Sequence, residues 1–229
     1  MKSKNLVLFY ALLCIIEIVA EYFEAGTLRY IVKPTLMIAL ALYFYQESKP
    51  DISSFAKKIL AALVFSWGGD VFLMFPDFFL PGLISFLIAH VFYILAFFEN
   101  INSAKEKRPL SNTLLFALPF LISTGALFRI LFPSLGEMLL PVAVYTSVIT
   151  VMGISAALRF GTVSNESLRL VLSGAVIFML SDSTIALNKF LYNDELPYAR
   201  IVIMVTYLLA QYLIVEGCLK FINSQKSNK

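Results

Sequence analysis

Apolar residues run along this chain in long blocks, separated by short clusters of charge, proline and glycine. The blocks fall near residues 5–24, 28–46, 57–75, 81–99, 110–131, 137–158, 168–190 and 197–220. Each approaches the roughly 20 residues that a helix needs to cross the hydrocarbon core of a bilayer. Backbone groups in lipid must be paired within their own segment, and the alternating pattern of a membrane barrel is nowhere present. The pattern therefore predicts an all-α fold: a polytopic transmembrane bundle of eight helices forming one integral membrane domain over residues 1–229. Short connections make chain neighbours antiparallel.

Two blocks break their own pattern. Residues 64–75 read Val-Phe-Ser-Trp-Gly-Gly-Asp-Val-Phe-Leu-Met-Phe and carry Asp70, and residues 174–190 carry Asp182. An aspartate near the middle of a membrane helix costs about 2.5–3.5 kcal/mol on insertion scales, so it persists only with a partner or a water-filled cavity. A purely structural role, each carboxylate bonding a neighbouring helix, is served more cheaply by neutral polar residues. The pair is read as a functional site.

Lysine and arginine set the orientation. Thirteen cations (Lys2, Lys4, Lys49, Lys57, Lys58, Lys105, Lys107, Arg108, Arg159, Arg169, Lys220, Lys226 and Lys229) fall on one side of the predicted helices. Five (Arg29, Lys33, Arg129, Lys189 and Arg200) fall on the other. Both termini are expected in the cytoplasm, in keeping with an even number of spans. Asp70 and Asp182 then lie in the outer halves of spans three and seven. Lys33 opens span two, with Pro34 pre-setting its first turn, and Lys189 closes span seven on the face of Asp182. His90 sits midway along span four with Tyr93 at i+3, and Gln211 lies in span eight four residues after Tyr207. Glu17, Glu21 and Glu24 load the outer end of span one. These groups are expected to converge in the outer half of the bundle.

A weak internal echo suggests a parallel four-plus-four repeat. Gly69-Asp70 answers Ser181-Asp182, Ala89-His90 answers Ala210-Gln211, and Pro34 answers Pro141.

Composition agrees: 59% of the 229 residues are hydrophobic and 14% charged, against about 25% charged in a soluble domain. The net charge of +3 is spread over short loops, which excludes a nucleic-acid stripe. Cys14 and Cys218 lie in apolar blocks and read as small apolar residues rather than a disulfide. The N-terminus imitates a signal peptide, but Glu17 and the aromatic residues that follow favour a retained first helix.

His90 is the only histidine. A three-histidine zinc site is thereby excluded, no metal or other cofactor is expected, and a serine-lipase elbow is missing as well. His90 either bonds within the bundle or supports the aspartates. Lys33 and Lys189 read equally as interfacial cations or as phosphate contacts.

The residues resemble the YhhN-type lysoplasmalogenases, integral membrane hydrolases. The likeness is carried by Lys33-Pro34, by Gly69-Asp70-x-x-Leu73, by Gly82 through Ala89-His90 to Tyr93, and by Tyr145. It continues in Gly174-Ala175-x-x-Phe178-x-x-Ser181-Asp182 with Phe190 and in Tyr207-x-x-Ala210-Gln211-x-x-Ile214, covering about residues 29 to 217. The resemblance implies cleavage of the vinyl-ether bond of lysoplasmalogens to a fatty aldehyde and glycerophosphoethanolamine or glycerophosphocholine. It also implies Asp70 and Asp182 as the catalytic pair. Lys33, His90, Tyr93, Lys189, Tyr207 and Gln211 are the expected substrate contacts. The partners are then a lysophospholipid and the surrounding lipids, in a bacterial cytoplasmic membrane.

The chemistry suits two carboxylates. A vinyl ether is hydrolysed by protonation at carbon, and water captures the oxocarbenium ion, as in inverting glycosidases. One aspartate protonated as acid and one ionised as base would suffice; which is which stays open in the sequence. Two other readings compete. An intramembrane aspartyl protease also uses two helix-borne aspartates, but here the motifs read Trp67-Gly68-Gly69-Asp70 and Ser181-Asp182. A proton-coupled transporter also buries carboxylates, but no block is broken at mid-membrane by a Gly/Pro pair. The topology is checked with reporter fusions: both ends should report the cytoplasm, and an external C-terminus would overturn the eight-span assignment.

Overall fold

A computed structural model describes residues 3–50, 52–102 and 110–227. Among them are eight α-helices: α1 Ser3–Tyr22, α2 Gly26–Ser48, α3 Ser54–Phe72, α4 Phe79–Asn102, α5 Leu110–Leu131, α6 Leu139–Ala157, α7 Asn165–Phe190 and α8 Ala199–Ser227. No strand occurs among the described residues. Lys2, Lys105, Lys107, Arg108 and Lys229, used above for orientation, lie outside them.

Seven helices are long and apolar enough to cross a membrane, and the chain is a multi-pass integral membrane protein. The eighth, α3, falls short because Lys57, Lys58 and Asp70 fall within its 19 residues. At 1.5 Å per residue it still extends about 28 Å. Its lysines sit in the opening turns, where their stems can follow apolar surface to the headgroups. Seven helices fall close to the expected blocks, while α8 runs on to Ser227 instead of ending at 220.

Two corrections concern α2 and Arg159. Because α2 begins at Gly26, Pro34 lies inside the helix and not in its first turn. A proline there removes one backbone donor, and the Trp67 indole of α3 donates to the Pro34 carbonyl at 2.9 Å. Arg159, counted above among loop cations, is fully buried.

The chain divides into two compact units. The first holds the described residues up to Ala96 together with those from Ile222 onward. In it α1 packs on α2, and α2 on α3. At the other end of α2, Lys226 Nζ donates to the carbonyls of Glu47, Ser48 and Lys49 at 3.3, 3.4 and 2.7 Å. A cation there caps the carbonyls that a helix leaves without donors. The Ser53 hydroxyl caps α3 by accepting from the Ala56 amide at 3.2 Å.

The second unit runs from Phe97 to Phe221. Leu131, Leu135 and Val142 form a buried cluster with Phe128, Leu187 and Phe190 around it. Arg159 ties the far end: Nε donates to Asn100 Oδ1 and Nη2 to Ser167 Oγ, both at 2.9 Å. Ser167 in turn donates to the Gly217 carbonyl of α8 at 2.6 Å. The Phe97 ring lies 5.3 Å from the guanidinium carbon.

Along the seam of α7 and α8, small residues let the backbones meet, the usual means of close packing where lipid supplies no hydrophobic drive. A methyl added at Gly174 would stand 2.9 Å from the Ala210 carbonyl oxygen and 3.0 Å from the Ile214 nitrogen. Gly174→Ala should therefore destabilise the protein by about 1–3 kcal/mol, the usual cost of overpacking. A thermal melt in detergent checks this, and an unchanged midpoint would contradict the close approach.

Candidate functional site

In the first unit, Asp70 stands in the last turn of α3 and is 5% exposed. The glycines before it set its surroundings. A side chain at Gly68 would meet Ser85 Oγ at 2.7 Å, and one at Gly69 would strike the Phe86 ring. α3 is thereby held against α4, and the Ser85 hydroxyl donates to the Phe65 carbonyl at 2.6 Å. Tyr10 of α1, itself buried, lies within electrostatic reach of both Asp70 and Tyr93. Tyr93 and His90 are fully buried on α4. Asp70 and Tyr93 thus share Tyr10 as a neighbour, and His90 is buried one turn before Tyr93 on α4.

Lys33 belongs to a second group in the same unit. It is half-buried on α2, one turn after Arg29, and both neighbour the buried Glu17 of α1 electrostatically. Arg29 Nη2 pairs with Glu21 Oε1 at 2.6 Å. Neither carboxylate oxygen of Glu17 has a hydrogen-bond partner among the described residues. Tyr10, Cys14, Glu17 and Glu21 recur at helical spacing and form a polar stripe along one face of α1.

In the second unit, Asp182 is half-buried on α7, and the Tyr145 hydroxyl of α6 donates to its Oδ2 at 2.5 Å. The preceding Ser181 donates to the Ile203 carbonyl of α8 at 3.1 Å, which fixes the rotation of α7 about its axis. Tyr207 sets its ring edge-on to Phe178 at 5.5 Å, and Gln211 Nε2 donates to its hydroxyl at 3.5 Å. Lys189 lies at the end of α7, where its ammonium pairs with the exposed Asp194 at 3.1 Å. Asn188 also bonds Asp194 at 3.1 Å and accepts from the Leu196 amide at 3.0 Å. Lys189 therefore takes part in clasping the loop that follows α7.

Sequence reasoning left Tyr145 out of the site, although it stood among the residues of the family resemblance. Tyr10 and the Arg29–Glu21 pair also escaped it. A tyrosine seven residues before a buried glutamate was the available signal for the first; nothing in the sequence pointed to the second. Among the described residues, no group of three or more His, Cys, Asp or Glu side chains is placed to hold a metal ion.

Comparison with known proteins adds an independent line. No solved structure matches the chain. It is 38% identical over 165 residues to lysoplasmalogenase TMEM86A of Homo sapiens, an alignment covering 69% of this chain and 64% of that protein. With the Bos taurus protein of the same name it shares 35% identity over 171 residues, again covering 69% and 64%. With lysoplasmalogenase TMEM86B of Homo sapiens it shares 31% over 188 residues, covering 82% and 73%. The chain thus spans 64% of the length of the first two relatives. Residues 28–218 match the YhhN family, and with Lys33, Asp70, His90, Asp182 and Gln211 all inside that stretch, the chain belongs to the YhhN family.

Proposed function

We propose that this chain hydrolyses the vinyl-ether bond of lysoplasmalogens, releasing a fatty aldehyde and glycerophosphoethanolamine or glycerophosphocholine. The observation that carries the reading is a pair of membrane-helix aspartates, Asp70 and Asp182, in a chain similar to proteins named lysoplasmalogenase. The lipid substrate dissolves in the same phase as the helices, which accounts for a hydrolase built inside a bilayer. We assign it to the bacterial cytoplasmic membrane with both termini inside.

The reaction begins when a carboxylic acid gives its proton to the outer carbon of the double bond, leaving an oxocarbenium ion. A carboxylate takes a proton from water as its oxygen adds to that ion. The hemiacetal so formed collapses: its hydroxyl proton passes to the spent acid, the protonated base gives its proton to the glycerol oxygen, and the carbon–oxygen bond to glycerol breaks. One water is consumed and no net proton. The Tyr145 bond supports Asp182 as the ionised partner, since a hydroxyl that donates stabilises a carboxylate over a carboxylic acid. Asp70, buried and within electrostatic reach of Tyr10, is then the acid. Lys33 serves the substrate phosphate, and Tyr207 and Gln211 line the path of the lipid.

Aldehyde release by purified protein tests this. Asp70→Asn and Asp182→Asn should each lower turnover by about 100-fold or more, the usual worth of a general acid or base. Turnover unchanged in both would overturn the mechanism. Tyr145→Phe, which removes one bond to a charged group worth about 1.5–3 kcal/mol, should lower kcat by roughly 10- to 100-fold and the melting temperature by several degrees. A wild-type rate in this variant would remove Tyr145 from the site.

A further inference from the structure

α2 presents Arg29 and Lys33 one turn apart, and with Gly26, Tyr30 and Met74 they line a cavity of about 150 Å3. Like charges at i and i+4 repel, so two cations turned to one concavity call for an anion. Glu17 and Glu21 of α1 supply carboxylates close to them. Glu21 takes a single amine of Arg29, while a guanidinium carries five N–H donors. Arg29 Nε has no hydrogen-bond partner among the described residues. The planar fork is held at one corner, with donors to spare for a second oxyanion, the geometry in which arginine grips phosphate.

Size and depth narrow the ligand. A 150 Å3 cavity in another protein admits benzene, about six heavy atoms, so a phosphate of five fits where an alkenyl tail does not. Exposed aromatic side chains gather at this end of the helices: Tyr22 and Phe23 follow one another with rings 5.1 Å apart, and Tyr30 pairs with Phe75 at 6.0 Å. Aromatic belts of this kind mark the headgroup level of a membrane. The phosphate met at that level belongs to a lipid.

We propose that this cavity is the phosphodiester subsite for a lysophospholipid headgroup, with Arg29 and Lys33 as ligands and Glu21 positioning the guanidinium. The proposal deepens the reading given above and takes its substrate class from it. It is therefore tested by binding and not by turnover.

The full chain in maltoside micelles is titrated calorimetrically with three probes: an uncleavable 1-alkyl lysophospholipid, the 1-alkylglycerol that lacks the phosphate, and inorganic phosphate. The variants are Lys33→Gln and the double variant Glu21→Gln/Arg29→Gln. The double variant avoids stranding Glu21, which Arg29→Gln alone would leave buried without its partner. Each should weaken the lysophospholipid by about tenfold or more, the worth of one charge-assisted contact. Binding of the alkylglycerol should be unchanged, and inorganic phosphate in excess should not displace the lipid. Unchanged lysophospholipid affinity in both variants would overturn the subsite, as would equal weakening of the alkylglycerol. Inorganic phosphate binding as tightly as the lipid would make the cavity a site for the dissolved ion and overturn the lipid assignment. Failure of wild-type protein to cleave a vinyl ether while this binding pattern holds would remove the hydrolase reading and leave the subsite standing.

Discussion

Hydrocarbon offers a polar atom nothing to bond to, and each polar group within a span needs a partner from the protein itself. The described structure meets that demand partly within each helix, where serine and threonine hydroxyls bond the preceding turn, and partly with pairs drawn from different helices. Tyr145 of α6 answers Asp182 of α7, and Ser181 answers a carbonyl of α8. Trp67 of α3 answers the carbonyl of Pro34 on α2, and Ser85 of α4 answers a carbonyl of α3. Each such bond fixes the rotation of one helix against the next more tightly than apolar contact does, because an apolar side chain is as well solvated by lipid as by protein. The apolar residues give the helices; the scattered polar ones give their register.

The same demand separates the charged groups into kinds. Arg159 is buried with neutral partners on Nε and Nη2 and an aromatic face beside it, which suits a structural tie. Lys189 and Lys226 close loops and helix ends. Asp70, Asp182 and the Glu17–Glu21–Arg29–Lys33 group are different, since they stand within helices where a neutral residue would pack at lower cost. The proposed chemistry, which moves a proton to carbon and then guides water, would give such carboxylates a reason to be there. The proposed subsite would let the mixed-charge group hold the polar end of the same substrate.

Much of this was legible in the chain. Charge clusters mark where apolar blocks stop, so the helices were readable to within a few residues, and a lone aspartate in an apolar block draws attention by its cost alone. What escaped the sequence depends on pairings between segments. Tyr145 lies 37 positions from Asp182, and only the register of α6 against α7 joins them. Arg29 looked like one more interfacial cation because the turn that folds α2 back onto α1 carries no strong signature, with Glu24 in a left-handed conformation where glycine would be usual. Arg159 looked like a loop residue because it is one; its burial comes from Asn100 and Ser167, which close over it. Pro34 was misjudged by a simple shift, since the helix starts earlier than its apolar block.

One consequence concerns the order in which the chain is made. The first unit is completed only by residues from Ile222 onward, and Lys226 supplies the ammonium that caps three carbonyls at the end of α2. A ribosome adding about 5–20 residues per second needs roughly 6–25 s to make the intervening Phe97–Phe221. Through that interval α2 waits in the membrane with its terminal carbonyls facing the interface and water alone to meet them. The helices of the first unit are thus completed only after those of the second have been made.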